Sequence, residues 1–542
     1  MKYLFDRKNM TLSEENNKKI LMVLGIAMIL LFLLVNAGVT WINYFNFIDS
    51  DDASELILSK MLAENGGILS SNWYYSTEIR VLNTQLVYML LFHFFSDFRI
   101  VRALGQIILS IILLVSYYFL LRSMEPGKAG RRFCATAFLL LIPMSEAWTF
   151  LNMKSYYIPH IAISFVAFGF AFRIRFQEKR TINFVLGILL GFVAGLGGIR
   201  SLQLTYIPLG IFLCLDLWKY LEYQDWEKIF FNKEFWVSWF ENMGCAVASL
   251  AGFLVNTFIL SGMYNFKSYS DTKYRYFSAG SIFDVWNDLV EAVGYIAETY
   301  IFSLDGICNT LALIITGIIL IKCAISIERY RKKRINYDNI IEYQKIGGGG
   351  ICDLSFVSSL ILIFNLFVFI VTKYVTPRYA MACLPLMVLF VFSLEEKHKN
   401  KRSFFYVILC MACILLGVRE YKNILTLDDN EAKRGVINLI EEKGYSIGIA
   451  TFWNGNVITE LTDGRIQFAN IECDEDTGEA SRFDWLCPAD IYEKEGTALL
   501  ILTKEEDEQI VLPEKEKMEI VYEDENYIAY EASSLKELEI FQ

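Results

Sequence analysis

The sequence lacks the features that mark collagen-like, repetitive or metal-cluster proteins. Its eight prolines and thirty-three glycines form no period and no low-complexity run, and no internal repeat is present. The eleven cysteines show no metal-ligand spacing. A cleavable signal peptide is also missing, because the first apolar run, Ile20 to about Trp41, is too long and has no small-residue cleavage site. We therefore expect this run to remain as a signal anchor.

Long apolar runs are abundant instead. Hydrophobic residues make up 54% of the 542 residues, and the mean hydropathy is +0.36, which is too apolar for a soluble protein of this length. The runs are roughly 18–22 residues long, the length at which a helix crosses about 30 Å of hydrocarbon. The sequence therefore predicts an all-α polytopic domain in the cell membrane.

The distribution of lysine and arginine predicts the topology, since basic clusters near span ends stay in the cytoplasm. All clusters fall on one side if Leu82–Phe95, only about 14 residues long, is an interfacial or re-entrant helix and not a crossing. The N-terminus is then cytoplasmic and the C-terminus extracytoplasmic. About eleven crossings are expected, near 20–41, 100–121, 133–151, 157–173, 181–199, 202–218, 241–262, 303–325, 354–373, 379–394 and 403–419.

The last part of the chain has a different composition and predicts a second domain. Residues 421–542 contain 11 basic and 29 acidic residues, a net charge of −18. The apolar patterns predict helices at Glu431–Lys443 and near Asn454–Leu461, and strands near 446–451, 465–471, 498–503, 517–522 and 527–532. This alternation predicts a soluble, extracytoplasmic α/β domain after a membrane domain of residues 1–420. The acidity argues against nucleic acid and other anionic partners. The cysteines of this region, Cys473 and Cys487, are able to form one disulfide.

A group of carboxylates follows the first apolar run, within an outer loop expected at about 42–99. Asp49 and Asp52 have the spacing of a helix-capping pair, which is a structural alternative to a catalytic role. Asp51 and Glu55 lie four residues apart, hence on one helix face, where like charges repel unless a cation or polar substrate lies between them. Asp49, Asp51 and Glu55 are thus a candidate site for Mg²⁺ or Mn²⁺, and Asp51 is the first candidate for a general base.

The order of these features resembles the GT-C superfamily, multi-span glycosyltransferases that include the protein O-mannosyltransferases and the aminoarabinose transferase of lipid A. The resembling features are a first span, Asp51-Asp52 at the start of a helix, an interfacial helix, and a second span that carries Arg99 and Arg102. Asp51-Asp52 replaces the usual Asp-Glu pair, and Leu82-Asn83-Thr84-Gln85 stands in place of His-Pro-Pro. The resemblance covers the chain to about residue 420 and implies an essential acid in the first outer loop.

Other charged residues of the expected outer face are candidates for catalysis, as Glu146 is, or for substrate binding, and Glu55 of the carboxylate group is also a candidate for substrate binding. Glu146 lies in the second outer loop, where family members often place a second acid, although a solvated loop glutamate is an equal alternative. Arg200 and Arg378, the latter followed by Tyr379, have the guanidinium geometry that fits a phosphate, with interfacial snorkelling as the alternative. Further binding candidates are Lys154, Glu78 and Arg80.

The resemblance implies transfer of a sugar from a polyprenyl-phosphate-linked donor to an acceptor on the extracytoplasmic membrane face. The acceptor is a glycan, a glycolipid or a protein. The reaction would invert the anomeric carbon, with assistance from a carboxylate. A transporter or flippase for a lipid-linked or polar solute is the alternative, but the sequence has no inverted repeat and no series of midplane acids. A non-catalytic membrane scaffold would leave the carboxylates at 49–55 without a role.

Overall fold

A computed structural model describes residues 2–76, 78–176, 180–223, 233–267, 302–332, 349–371, 399–474 and 476–541. Its contacts divide the chain into two compact units. The membrane unit comprises 1–36, 109–254 and 271–422, and the loop–tail unit comprises 37–108, 255–270 and 423–542. The outer loop expected at about 42–99 thus lies within residues 37–108, which belong to the same compact unit as the tail.

The described residues are mostly helical. The helices before the tail are α1 (Lys2–Ile42), α2 (Tyr44–Phe47), α3 (Ser50–Asn65), α4 (Gln85–Phe92), α5 (Phe98–Met124), α6 (Ala129–Thr136), α7 (Glu146–Asn152), α8 (Ile158–Phe176), α9 (Arg180–Gly195), α10 (Ile199–Ser201), α11 (Ile207–Tyr223), α12 (Lys233–Val255), α13 (Ser261–Met263), α14 (Leu304–Lys332), α15 (Gly349–Val371) and α16 (Lys399–Leu425). Single turns of π-helix, Leu202–Tyr206 and Asn256–Leu260, precede α11 and α13.

Six helical segments of the described residues are long and apolar enough to cross a membrane, so the chain is a multi-pass membrane protein. They are Met22–Ile42, Phe98–Met124, Ile158–Arg175, Ile199–Lys219, Lys233–Met263 and Leu304–Lys332. Two shorter apolar segments, Arg180–Gly195 and Asp353–Asn365, coincide with further expected crossings. The expected crossing at 379–394 lies outside the described residues. The total of eleven crossings stays a prediction.

The crossing expected at 133–151 is wrong as a continuous helix. The structure has α6, then a 3₁₀ turn at Ala137–Leu140, then α7. Pro143 lacks an amide donor, and Ser145 caps the new helix by accepting a hydrogen bond from the backbone N–H of Trp148. In contrast, α4 has only eight residues, as expected for a segment that is too short to cross.

The tail of the loop–tail unit is a six-stranded sheet. Its strands are β1 (Ile447–Thr451), β2 (Gln467–Cys473), β3 (Ala480–Arg482), β4 (Ala498–Thr503), β5 (Glu519–Glu523) and β6 (Tyr527–Ala532). They lie in the order β3-β2-β1-β4-β6-β5, in which β2, β1 and β4 are parallel and the other pairings are antiparallel. The tail helices are α17 (Arg434–Lys443), α18 (Phe452–Leu461), which connects β1 to β2, and α19 (Lys504–Gln509).

Both faces of the sheet are buried, which explains why β1 and β4 are continuous apolar runs. Ile449 and Leu500 belong to the core of one face, and Ala450 and Ile501 to the core of the other. The predicted soluble α/β domain is confirmed as an α/β fold. The disulfide is not formed, because Cys473 and Cys487 are both free thiols.

Candidate active site

The carboxylate group lies at the start of α3. Asp49 is the N-cap, and its Oδ1 accepts a hydrogen bond from the backbone N–H of Asp52 at 2.9 Å. At the other end, Gly66 has a φ of 77° and its N–H donates to the carbonyl of Leu62, a stop that favours glycine. The capping alternative thus accounts for the position of Asp49. A catalytic role of Asp49 stays a prediction.

We expect Asp49→Ala to destabilise the protein by about 1 kcal/mol, since an orphan N–H at the start of α3 loses its acceptor. Asp49→Ser keeps an acceptor at the cap and should restore most of the stability. The midpoint of thermal unfolding measures both effects. An unfolding midpoint of the alanine variant equal to that of the parent would show that the cap is dispensable.

Glu55 is the best-organised acid of the group. It lies one turn after Asp51 on α3 and is 8% exposed. Its Oε1 accepts a hydrogen bond from Arg80 Nη1 at 2.7 Å, and its Oε2 accepts one from the hydroxyl of Thr84 at 2.8 Å. Arg80 is also 3.9 Å from the buried Glu78, measured from Nε to Oε1. A charged, hydrogen-bonded network is therefore built into the first loop, and it brings together three residues that were expected to bind substrate, Glu55, Glu78 and Arg80.

This network borders a small cavity of about 20 Å³. Its walls include Glu55, Glu78, Arg80, Tyr75 and Gln85. Burial raises the pKa of the Tyr75 phenol to about 12, so the hydroxyl keeps its proton at neutral pH, while it accepts a hydrogen bond from the backbone N–H of Ser70. The cavity therefore exposes carboxylate, guanidinium and neutral hydroxyl groups together.

Asp51 and Asp52 differ in their surroundings. Asp51 is partly exposed in the first turn of α3, whereas Asp52 is 3% exposed. Within the described residues, no group of three or more histidine, cysteine, aspartate or glutamate side chains lies close enough to hold a metal ion. Asp49, Asp51 and Glu55 are therefore not assembled as a metal site, because Asp49 caps the helix and Glu55 is held by Arg80 and Thr84.

A second buried network fixes the start of α3 to the tail. Arg102 of α5 donates from Nε and Nη2 to the two carboxylate oxygens of Glu460 in α18, at 2.8 and 2.6 Å. The Arg102 and Glu460 side chains are 3% and 0% exposed. Arg102 also donates to the backbone carbonyl of Asp52 at 3.2 Å, and the hydroxyl of Tyr44 donates to Glu460 at 3.0 Å. Through Arg102, this network joins Glu460 of the tail to the backbone of Asp52 at the start of α3.

Sequence reasoning missed Glu460 and Thr84 as members of these networks. The position of Arg102 alone indicated that such a network exists, because an arginine within an apolar span needs a buried partner. No local pattern singles out that partner, since Glu460 is one of many acids in the tail. Thr84 belongs to Leu82-Asn83-Thr84-Gln85, and no pattern of that segment indicated a role for its hydroxyl group.

The remaining candidates belong to the membrane unit or lie outside the described residues. Glu146 is exposed in the first turn of α7, and Lys154 is partly buried shortly after it. The guanidinium of Arg200, at α10, lies 5.2 Å from the ring centre of Tyr157. Arg378 and Tyr379 lie outside the described residues. Their roles stay predictions.

No protein-family model matches the sequence, and no curated protein matches it. Several solved structures are similar to it in arrangement, among them the following two. One is an oligosaccharyltransferase of Archaeoglobus fulgidus in complex with Zn and sulfate, with 12% identity, a TM-score of 0.42 and coverage of 80% of this chain. The chain spans 61% of that enzyme's length. The other is ArnT from Cupriavidus metallidurans bound to undecaprenyl phosphate, with 11% identity, a TM-score of 0.39 and coverage of 93% of this chain and 98% of that one.

The TM-scores lie below 0.5, so we base the functional proposal on the site itself.

Proposed function

We propose that the protein is a GT-C-type membrane glycosyltransferase, which moves a sugar from a polyprenyl-phosphate-linked donor to an acceptor at the extracytoplasmic surface. The observation that carries this proposal is the largely buried ion pair between Glu55 of α3 and Arg80 of the segment between α3 and α4, in the loop that follows the first apolar span. Charged groups at such a position are costly to bury and are retained mainly where they have a function. Both residues line the small cavity. A partly exposed acid, Asp51, lies one turn before Glu55 on α3.

Asp51 is assigned as the general base because it is partly exposed one turn before Glu55. It would take the proton of an acceptor hydroxyl while the acceptor oxygen bonds to the anomeric carbon. The bond from that carbon to the phosphate oxygen breaks on the opposite face, so the configuration inverts and the phosphate leaves with the electron pair. Both oxygens of Glu55 are engaged by Arg80 and Thr84, which suits Glu55 to holding Arg80 in place.

Positive groups would stabilise the charge that develops on the leaving phosphate, which is commonly a large term in such reactions. Arg80 is assigned this role because it lines the cavity. Arg200 and Arg378 stay phosphate contacts predicted from the sequence alone, since a guanidinium group allows bidentate binding of phosphate oxygens. No metal step is included, since the described acids form no metal-binding group.

The test is transfer by the purified full-length protein in nanodiscs. A panel of undecaprenyl-phosphate hexoses and pentoses, each labelled in the sugar, is incubated with an extract of cell-surface glycans. Release of undecaprenyl phosphate together with label in the glycan supports the proposal. Movement of the labelled lipid across proteoliposome membranes without release of the phosphate would instead establish the transporter alternative and overturn the transferase.

The proposal requires α3 to face the cell exterior. The turn at Gly66-Gly67 is exposed and follows the end of α3, so it can accept an inserted epitope. We expect an epitope placed there to be detected on intact spheroplasts, with an epitope in the basic segment Arg329–Lys333 detected only after permeabilisation. If the first epitope is detected only after permeabilisation, α3 lies on the cytoplasmic side of the membrane, where it cannot reach an extracytoplasmic acceptor, and the proposal is wrong.

A further inference from the structure

A second, larger cavity lies on the other side of α3 within the loop–tail unit. Its volume is about 300 Å³, at the lower end of the roughly 300–1,000 Å³ typical of small-molecule sites. The two cavities share no lining residue. Ser54, Glu55 and Leu58 of α3 line the small cavity, whereas Lys60 and Glu64 of the same helix line the large one. We call the larger cavity the α3–β2 cleft, because Gln467 of β2 forms part of its opposite wall.

The walls of the α3–β2 cleft are rich in groups that both donate and accept hydrogen bonds. Three amide side chains line it, those of Asn65, Asn72 and Gln467. An amide offers two donors and one acceptor oxygen, and a sugar hydroxyl likewise donates and accepts. A ligand covered with hydroxyl groups therefore matches this lining better than a ligand that only accepts or only donates.

The charges of the α3–β2 cleft are balanced. Lys60 and Lys494 contribute two positive charges, and Glu64 and Asp490 contribute two negative ones. The cleft opens beside a tail of net charge −18, whose field repels anions. These charges disfavour phosphorylated or carboxylated ligands, and the balance within the cleft favours a neutral one.

The polar groups of the cleft are held in place by their neighbours. Lys60 Nζ donates to the backbone carbonyl of Asp463 at 2.8 Å, and Lys494 Nζ donates to Oε1 of Gln467. Asn72 Oδ1 accepts from the backbone N–H of Asp490 at 2.8 Å. An ammonium group has three N–H donors, so each lysine retains donors for a ligand. Such prior fixation lowers the entropy cost of binding.

We propose that the α3–β2 cleft binds a neutral saccharide. Resting on the proposed function, the bound saccharide is part of the acceptor glycan. The same helix, α3, then carries the catalytic acid on one side and the acceptor-binding wall on the other. This assignment narrows the acceptor from any surface polymer to an uncharged glycan segment of one or two sugar units, the size that the volume admits.

Binding is tested with the full-length protein in nanodiscs on an array of neutral di- to tetrasaccharides, each paired with its sulfated or sialylated form. We expect binding of at least one neutral saccharide and at least tenfold weaker binding of its anionic partner. Asn65→Trp places a bulky ring at the exposed rim and should weaken binding at least tenfold. Lys494→Ala should do the same by removing a donor, and Lys504→Ala, which breaks a pair with Glu523 on the tail surface, is the matched control.

Thermal unfolding first establishes that each variant is folded. Lys494→Ala also removes the hydrogen bond to Gln467, whereas Asn65→Trp leaves that hydrogen bond intact, so weaker binding by both variants is not explained by its loss. The proposal is overturned if no neutral saccharide binds, if an anionic form binds more tightly, or if folded Asn65→Trp binds as the parent does. Binding without sugar transfer from any donor lipid would refute the proposed function but not the cleft. Transfer with an acceptor KM unchanged by Asn65→Trp would refute the cleft but not the proposed function.

Discussion

Replacing Glu460 by alanine should strongly destabilise the protein. Arg102 would be left charged and buried without its carboxylate partner, a loss that typically costs about 3–5 kcal/mol. We therefore expect a much lower unfolding midpoint and poor recovery of folded protein in detergent. The effect should extend to transfer, because Arg102 also holds the backbone carbonyl of Asp52 at the start of α3.

An exposed ion pair of the same tail provides the control. Arg465 and Glu441 are joined at 2.7 Å but are 59% and 45% exposed, so Glu441→Ala should change the unfolding midpoint little. The double variant Arg102→Met/Glu460→Leu removes both charges and should recover part of the lost stability. An unfolding midpoint of Glu460→Ala equal to that of the parent would show that the pair does not join the tail to the first loop.

Replacing Asp51 by asparagine should reduce sugar transfer by about 100- to 10,000-fold, the range attributed to a positioned general base. The side chain keeps its size and remains partly exposed, so the unfolding midpoint should stay close to that of the parent. Initial rates at saturating donor and acceptor separate this effect from a change in binding. Raising the pH above neutrality should not restore transfer by the variant, since the amide cannot accept a proton.

Asp429→Asn, an exposed acid of the tail, is the matched control and should retain full transfer. Glu55→Gln distinguishes the base from the positioning residue. It weakens the hold on Arg80, so we expect a raised donor KM in addition to a lower rate. Undiminished transfer by folded Asp51→Asn, measured with the true donor, would remove Asp51 from the mechanism.

The elements that were predicted well from the sequence are those whose pattern is local. β1 and β4 are apolar runs bounded by polar residues, and α17 has an apolar stripe along one side, so each could be found from a short window. β3 was not predicted, because Ala480–Arg482 is only three residues long and has no apolar run. The crossing at 133–151 failed because hydropathy outweighed the effect of a single proline, Pro143.

The candidate active site could be predicted only in part from the sequence, for a different reason. The cap of α3 could be predicted from the spacing of Asp49 and Asp52, because the two residues lie within one short segment. The partner of Arg102 could not, as the two residues are separated by 358 positions and the tail has many acids. Which carboxylate would become buried depends on tertiary packing, and a sequence window does not contain that information.

The shared compact unit of 37–108 and 423–542 has a consequence for recombination. A foreign tail grafted onto this chain would have to supply a carboxylate in register with a guanidinium 358 positions upstream. Residues 37–108 and 423–542 would therefore have to be exchanged together, although they are far apart in the sequence. A recombination crossover between them would separate Arg102 from its partner Glu460.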